Sequence, residues 1–373
     1  MTTMDRPITI HQPRRLEIGA GSAARVGEWA TFAARPLIVA SGPTAQYADQ
    51  LGLRGDILII DDVPPEPDLP ALARVLDRAR AHRPDLIVGL GGGSVLDVAK
   101  LVAAMCDGTQ TLHDVAGPNR VAGRNTPLVQ VATTAGTGSE AGIRALITDP
   151  ATKSKIAVES PHLIADLAVL DAELTYSVPP AVTAATGIDA MAHCVEAFTN
   201  RGAHDLIDGY ARMGIRLVGQ YLRRAVEDGR DAEARTGMML ASYYGGICLG
   251  PVNTAAGHAL AYPLGTRLSL PHGLANAIIF PHVLAFNHSA ATSKTAEVAQ
   301  ALGLQGDTED ALKAAAVTFC TDLGIEMRLS AHGGTATDLD HWAQEAHAIR
   351  RLMDNNPRDM TVDQVAAIYR AAL

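Results

Sequence analysis

The chain has 373 residues and a formal net charge of −9, and it is 47% hydrophobic, 19% charged and 4% aromatic. That balance excludes a disordered chain. The acidic sum, the lack of any Lys/Arg block and the scarcity of aromatic side chains argue against nucleic-acid binding. At roughly 150 residues per domain the length predicts about two domains and a large core.

No apolar run is long enough to span a membrane: the stretch 276–286 is interrupted by Pro281 and His282. Residues 1–7 carry Asp5 and Arg6 with no apolar segment behind them, so no signal peptide is expected. Cys106, Cys194, Cys248 and Cys320 lie far apart and form no CxxC, the pattern of free thiols in a reducing cytoplasm.

Residues 14–18 alternate like an exposed edge strand. Apolar runs at 36–40, 56–60, 86–90 and 128–132, each closed by Gly, Pro, Asp, Ser or Thr, predict buried strands. Between them, 69–82 shows the spacing of one helical face and 95–106 again reads as helix. Strands buried on both faces and alternating with helices indicate a parallel α/β sheet. After Asp171 strand-like runs nearly stop. Stretches 181–200, 206–225, 232–249, 292–302, 310–323 and 362–373 all predict helices. The fold class is therefore an N-terminal Rossmann-like α/β domain over residues 1–176 followed by an all-helical domain over 177–373. Ser177-Val178-Pro179-Pro180 is the expected hinge, and a cleft between the halves is a natural ligand site.

Three loops are candidates for nucleotide binding. Gly91, Gly92, Gly93 and Ser94 join a buried strand to a helix. Glycines there let backbone N–H groups approach a phosphate at the positive end of the helix, with Ser94 as cap or phosphate donor; a simple tight turn is the bland alternative. Residues 133–140, with Thr133, Thr134 and Thr137, supply small hydroxyls suited to a nucleotide or ribose. Gly19-Ala20-Gly21, which loosely fits GxGxxA, reads instead as a turn capped by Ser22, because Ser41 stands at the end of the next strand where that motif has an acid.

In the helical half, Asp189 and His193 stand at i and i+4 on a face rich in Ala and Met, so both point to one side. A buried Asp–His pair of purely structural use is the alternative reading. His258 lies in a stretch of small apolar residues and His272 in a Pro-His-Gly turn. Together the four make an N3O set that suits Fe(II) or Zn(II).

These motifs resemble those of the iron-containing (group III) alcohol dehydrogenases. The matching pieces are Gly91–Ser94 with Asp97 and Lys100, residues 133–140, 174–180, 183–193, 258–265, 271–276, and Asn355-Asn356-Pro357-Arg358, in family order across nearly the whole chain. The resemblance implies a dehydroquinate-synthase-like architecture, an α/β nucleotide domain followed by a helical metal domain. It implies NAD(P)-linked interconversion of an alcohol with an aldehyde or ketone, by hydride transfer to or from the nicotinamide. By position, Asp189, His193, His258 and His272 would hold Fe(II), with Zn(II) the alternative. Gly91, Gly92, Gly93 and Ser94 would hold the pyrophosphate; Asp97, Thr133, Thr134 and Thr137 would line the cofactor, and Lys155 would lie near its ribose. Tyr262 and His272 are the candidate catalytic residues. The implied partners are a small alcohol or aldehyde substrate and further copies of the chain in a homo-oligomer, with no nucleic acid or membrane.

Three positions depart from the family. Tyr262 stands four residues after the third ligand, where many members carry a histidine that relays the substrate proton; a tyrosine titrating near pH 10 is better suited to shaping the substrate pocket. Ser41 replaces the acid that often selects NAD by repelling a 2′-phosphate, so NAD and NADP both stay open. Ala132 stands where proline is usual. A maleylacetate-reductase-like enzyme is the nearest alternative, and the intact Asp/His/His/His set argues against it. A dehydroquinate-synthase-like lyase would want a basic cluster for a phosphorylated substrate, which the helical half lacks. A non-catalytic nucleotide- or metal-binding protein is the third.

Overall fold

A computed structural model of the protein describes residues 3–152 and 154–373. Two compact units are present: Ile10–Ser177, and Val178–Leu373 together with the N-terminal residues up to Thr9.

The first unit is built on strands β1 Arg15–Ile18, β2 Pro36–Ala40, β3 Leu58–Ile60, β4 Leu86–Gly91, β5 Gly117–Pro118, β6 Leu128–Ala132, β7 Arg144–Asp149, β8 Ser154–Glu159 and β9 Leu167–Leu170. Six of them form one sheet in the order β1-β9-β6-β4-β2-β3. All its pairings are parallel. Both faces are covered, which is why these strands read as unbroken apolar runs. Leu37, Val39 and Ile87 pack on one side with Leu72, Val75 and Val98. Ile38, Val88 and Val131 turn to the other side with Val26, Leu51 and Leu174.

Numbering the helices of ten or more residues, α1 Leu69–His82 and α2 Gly93–Met105 belong to this unit. The alternating segment 14–18 is the edge strand β1, paired with β9. The second sheet, β5-β8-β7, was not foreseen, and its β7–β8 pair is antiparallel. One face of β7 is only partly buried, so its hydrophobic signal is half that of a central strand.

Sheet topology decides where a ligand can sit. The chain moves outward from β2 to β3, then returns to lay β4 on the other side of β2, so the strand order reverses between β2 and β4. Open α/β sheets bind ligands beyond the carboxyl ends of the strands at that reversal. The residues there are Ser41 after β2, the glycines after β4 and, one strand further, the threonine loop after β6.

Among the described residues the second unit has helices and no strand: α3 Pro180–Thr199, α4 Asp205–Glu227, α5 Ala232–Leu249, α6 Ala256–Leu268, α7 His272–His288, α8 Thr292–Leu302, α9 Glu309–Asp322, α10 Leu339–Ala348 and α11 Val362–Ala372. Helix α10 went unread in the sequence. Its core gathers Leu260, Leu264, Ile278, Ile279, Trp342 and Tyr369, the last donating its hydroxyl to the Leu260 carbonyl at 2.6 Å. No helix among the described residues is long and apolar enough to cross a membrane. The four cysteines are free and buried.

Candidate nucleotide loops and metal centre

The glycine and threonine loops are one structure. Thr133 N donates to the Gly91 carbonyl at 3.0 Å, extending the β4–β6 ladder by one rung. A Cβ on Gly92 would meet Thr134 Oγ1 at 2.9 Å, and one on Gly93 would meet Thr137 Cγ2 at 2.6 Å. A Cβ on Gly91 would meet Val95 Cβ at 2.6 Å. The glycines are thus required first by packing of the protein against itself. What remains half-exposed is the backbone of Gly92, Gly93 and Ser94 at the start of α2. The N–H groups of Gly93 and Ser94 lie in its first turn, where no intrahelical partner exists. Thr133 Oγ1 is buried beside them without a hydrogen-bond partner among the described residues.

Ser94 does not cap α2. Gly92 holds the cap position, and Ser94 Oγ accepts from Glu66 N at 3.2 Å. The Glu66 carboxylate in turn pairs with Lys155, whose Nζ also donates to Thr148 Oγ1 at 2.8 Å. Ser94 and Lys155, far apart in sequence, are joined through Glu66. Asp97 is engaged on both oxygens, by Ser139 Oγ at 2.6 Å and Leu146 N at 2.9 Å. Burial raises its carboxyl against the pull of the nearby ammonium of Lys100. Lys100 is fully buried, donates to Ser139 Oγ and the Arg144 carbonyl at 2.8 Å each, and is pushed down to about 8 by that burial. Burial pushes Glu140 up to about 7. Ser41 N donates to Thr44 Oγ1 at 3.0 Å, and Thr44 Oγ1 donates to the Leu90 carbonyl at 2.8 Å, which ties the end of β2 to the end of β4. Ser22, expected as a cap, is not one: Gly21 holds that position, and the buried Ser22 Oγ has no hydrogen-bond partner among the described residues.

The helical unit brings all four metal-ligand candidates together. One donor atom from each of Asp189, His193, His258 and His272 lies within 4.8 Å of every other. Asp189 Oδ1 is 3.9 Å from His193 Nε2 and 3.6 Å from Nε2 of both His258 and His272. These separations are too long for hydrogen bonds. They approach the edge of about 3.4 Å expected between ligands of a tetrahedral ion with bonds near 2.1 Å. Asp189, His193 and His258 are buried, and His272 is half-buried. His258 Nε2, which faces Asp189, has no hydrogen-bond partner among the described residues, a cost a purely structural cluster would not carry. The residues therefore fit a divalent cation.

The electrostatics agree. Burial would raise the Asp189 carboxyl, but His193, His272 and His258 outweigh it and hold it well below the usual carboxylate range. Burial pushes His193 down to about 4. For His258 burial is outweighed by Glu196 and Asp189, which carry it up to about 10. Asp189 is thus held ionised and His193 neutral, the forms in which each ligates a cation.

Two neighbours escaped the sequence reading. Asn276 Nδ2 donates to Asp189 Oδ1 at 2.7 Å and lies 3.1 Å from His272 Nε2. Glu196 Oε1 is 2.8 Å from His258 Nδ1. Glu196 follows His193 by three positions, so a third polar residue on the Asp189–His193 face of α3 was the available signal. Tyr262, four residues beyond His258, has its ring centre 6.1 Å from that of His272, and its hydroxyl accepts from Arg351 Nη2 at 3.2 Å.

A nucleotide-type parallel sheet and, on a helical unit, an N3O metal constellation define a metal-dependent, nicotinamide-linked oxidoreductase. Residues 13–172 match the family model for iron-containing alcohol dehydrogenase, and residues 183–373 match that for the Fe-containing alcohol dehydrogenase family, C-terminal. The chain is 35% identical over 347 residues to long-chain-alcohol dehydrogenase 1 of Geobacillus thermodenitrificans, covering 90% of this chain and 87% of that one. A solved 1,3-propanediol oxidoreductase superposes with a TM-score of 0.94 at 31% identity, covering 99% of this chain and 100% of that one. The sulfoacetaldehyde reductase of Bifidobacterium kashiwanohense, solved in complex with NAD+, gives 0.88 at 26% identity, with 98% and 99% covered. The chain belongs to the iron-containing alcohol dehydrogenase family and is an oxidoreductase acting on alcohols.

Proposed function

We propose that the protein interconverts a small alcohol and its aldehyde or ketone with NAD or NADP, the Ile10–Ser177 unit binding the nucleotide and the helical unit holding iron through Asp189, His193, His258 and His272. The observation that carries this reading is the convergence of those four donor atoms within 4.8 Å, with His258 Nε2 among them left unsatisfied by the described residues. When bound, the metal supplies Lewis-acid polarisation of the substrate oxygen and the nicotinamide accepts or gives the hydride.

The chain's own residues do the positioning. The Gly93 and Ser94 N–H groups and the start of α2 offer donors and a positive dipole end to the pyrophosphate. The buried Thr133 hydroxyl, with no hydrogen-bond partner among the described residues, is available to the cofactor. Tyr262 has its oxygen occupied by the Arg351 donor, which leaves its own O–H to donate toward a substrate oxygen near His272. We assign it to orienting the substrate. Ser41 at the strand end carries no charge to repel a 2′-phosphate. The relatives act on substrates as different as long-chain alcohols and sulfoacetaldehyde, and the substrate here is assigned only as a small alcohol or carbonyl compound. A cytoplasmic homo-oligomer fits the free, buried cysteines and the family.

The test is metal content and turnover with both cofactors on a panel of short alcohols, aldehydes and hydroxyacids. His258→Ala and His272→Ala are expected to lose metal and turnover together. Near-parental activity in either variant, or alcohol oxidation unchanged after chelation, overturns the assignment.

A further inference from the structure

Burying a carboxylate is expensive unless it is paired, and Glu196 is buried with no Lys or Arg against it among the described residues. It lies on α3 at the third position of an Asp189, His193, Glu196 series spaced i, i+4 and i+7, so one face of one helix carries all three. Its two oxygens do different things. Oε2 accepts from Ala255 N in a short contact, and from His258 N at 3.5 Å, at the amino end of the thirteen-residue helix α6. Oε1 meets His258 Nδ1 at 2.8 Å. Gly257 leaves room for this: a Cβ there would stand 2.4 Å from Oε1.

A carboxylate can only accept, so the contact fixes the proton of a neutral His258 on Nδ1 and leaves the lone pair on Nε2. Nε2 is the atom that faces Asp189 at 3.6 Å and has no hydrogen-bond partner. His193, whose Nε2 faces Asp189, has no such support: its Nδ1 is without a hydrogen-bond partner among the described residues. We infer that Glu196 is a positioning residue of the metal centre, which sets the tautomer and ring angle of His258 and makes it a more strongly donating imidazole than His193. Carboxylates placed behind ligating histidines raise ligand basicity in this way, and their loss commonly costs about 10- to 100-fold in metal affinity. The inference rests on the metal reading above.

The experiment loads the metal-free protein with Co(II), reading affinity by chelator competition and ligand-field bands in the visible, in the parent and in Glu196→Gln. Bands in the parent establish the centre; a parent that binds no Co(II) refutes the metal reading itself. Given binding, Glu196→Gln is expected to weaken affinity about 10- to 100-fold and shift the bands. An unchanged Kd and spectrum in Glu196→Gln overturns the inference. Should Glu196→Gln fail to fold, Gly257→Ala, whose methyl displaces the carboxylate while keeping its chemistry, carries the same test with the same expected shift and the same refutation.

Discussion

Replacing Gly273 by alanine should weaken metal binding without touching a ligand. Gly273 is the second residue of α7, directly after His272. A Cβ there would lie 2.6 Å from the Ala185 carbonyl oxygen, 2.9 Å from its carbon and 3.2 Å from Thr186 N. All three are backbone atoms of α3, so no side chain can turn aside. Restoring ordinary contact at about 3.4 Å requires a movement of roughly 0.8 Å. Ala185 sits one helical turn before Asp189, so the movement separates Asp189 from His272, now 3.6 Å apart. Metal–ligand distances tolerate only about 0.2 Å, a quarter of that displacement.

Overpacking of this kind costs about 1–3 kcal/mol. Charged to metal binding, it weakens Kd by about 5- to 150-fold. Chelator competition with Zn(II) or Co(II) reads the affinity, and the thermal midpoint of the metal-free variant reports any general loss of structure. Gly265→Ala, in the neighbouring helix α6, is the control. Its Cβ would meet only the Leu270 carbonyl at 3.6 Å, an ordinary contact, so the variant should bind metal as the parent does. Parental affinity in Gly273→Ala, or an equal loss in Gly265→Ala, refutes the reasoning.

Further outcomes follow from the nucleotide unit and the pocket. Burial raises the folded-state value of Glu140 from 4.5 to about 7, so folding takes up a proton between those values and this residue's contribution to stability falls as pH rises through that window. Glu140→Gln should flatten the fall, read as urea midpoints at pH 5 and 7; an equal slope in parent and variant would show that Glu140 is not its source. Ser41→Asp should raise the ratio of kcat/KM for NAD over NADP, and unchanged NADP use would place the 2′ position elsewhere. Tyr262→Phe should raise the substrate KM while leaving metal content intact, because it removes a hydroxyl held by Arg351 and no ligand atom; loss of metal would contradict the placement. Tyr369→Phe leaves the buried Leu260 carbonyl one donor short and should cost about 0.5–1.5 kcal/mol in chemical denaturation, with no change in metal affinity.

What the sequence made legible was what its local periodicity encodes. Strands buried on two faces, such as 36–40 and 128–132, the helix 69–82 with its one apolar face, and the mostly buried helix 232–249 stand at the residues their patterns indicated. The β7–β8 pair did not announce itself, because a sheet covered on one side gives half the hydrophobic signal. Capping roles were misjudged at Ser22 and Ser94 for another reason. A cap depends on which residue first leaves the helical backbone, and at both turns a glycine takes that position.

The metal centre shows the same division more sharply. Asp189 and His193 were readable as a pair because i and i+4 on one helix must share a face. His258 and His272 were suspects only by their surroundings, since nothing in a sequence says which turns of α6 and α7 lie against α3. Contact across helices is set by small residues that permit approach: Gly273 against the Ala185 backbone, Gly257 against Glu196, Gly245 with its Cβ position 3.1 Å from His193 Cβ. Each of these glycines stands where a ligand or its support comes close, and none is needed for a turn. In a helix interior glycine costs about 1 kcal/mol relative to alanine. Glycines scattered through helices that also carry buried His, Asp and Glu therefore trace the converging faces, and through Gly257 they point to Glu196, the residue that a search for ligands alone leaves out.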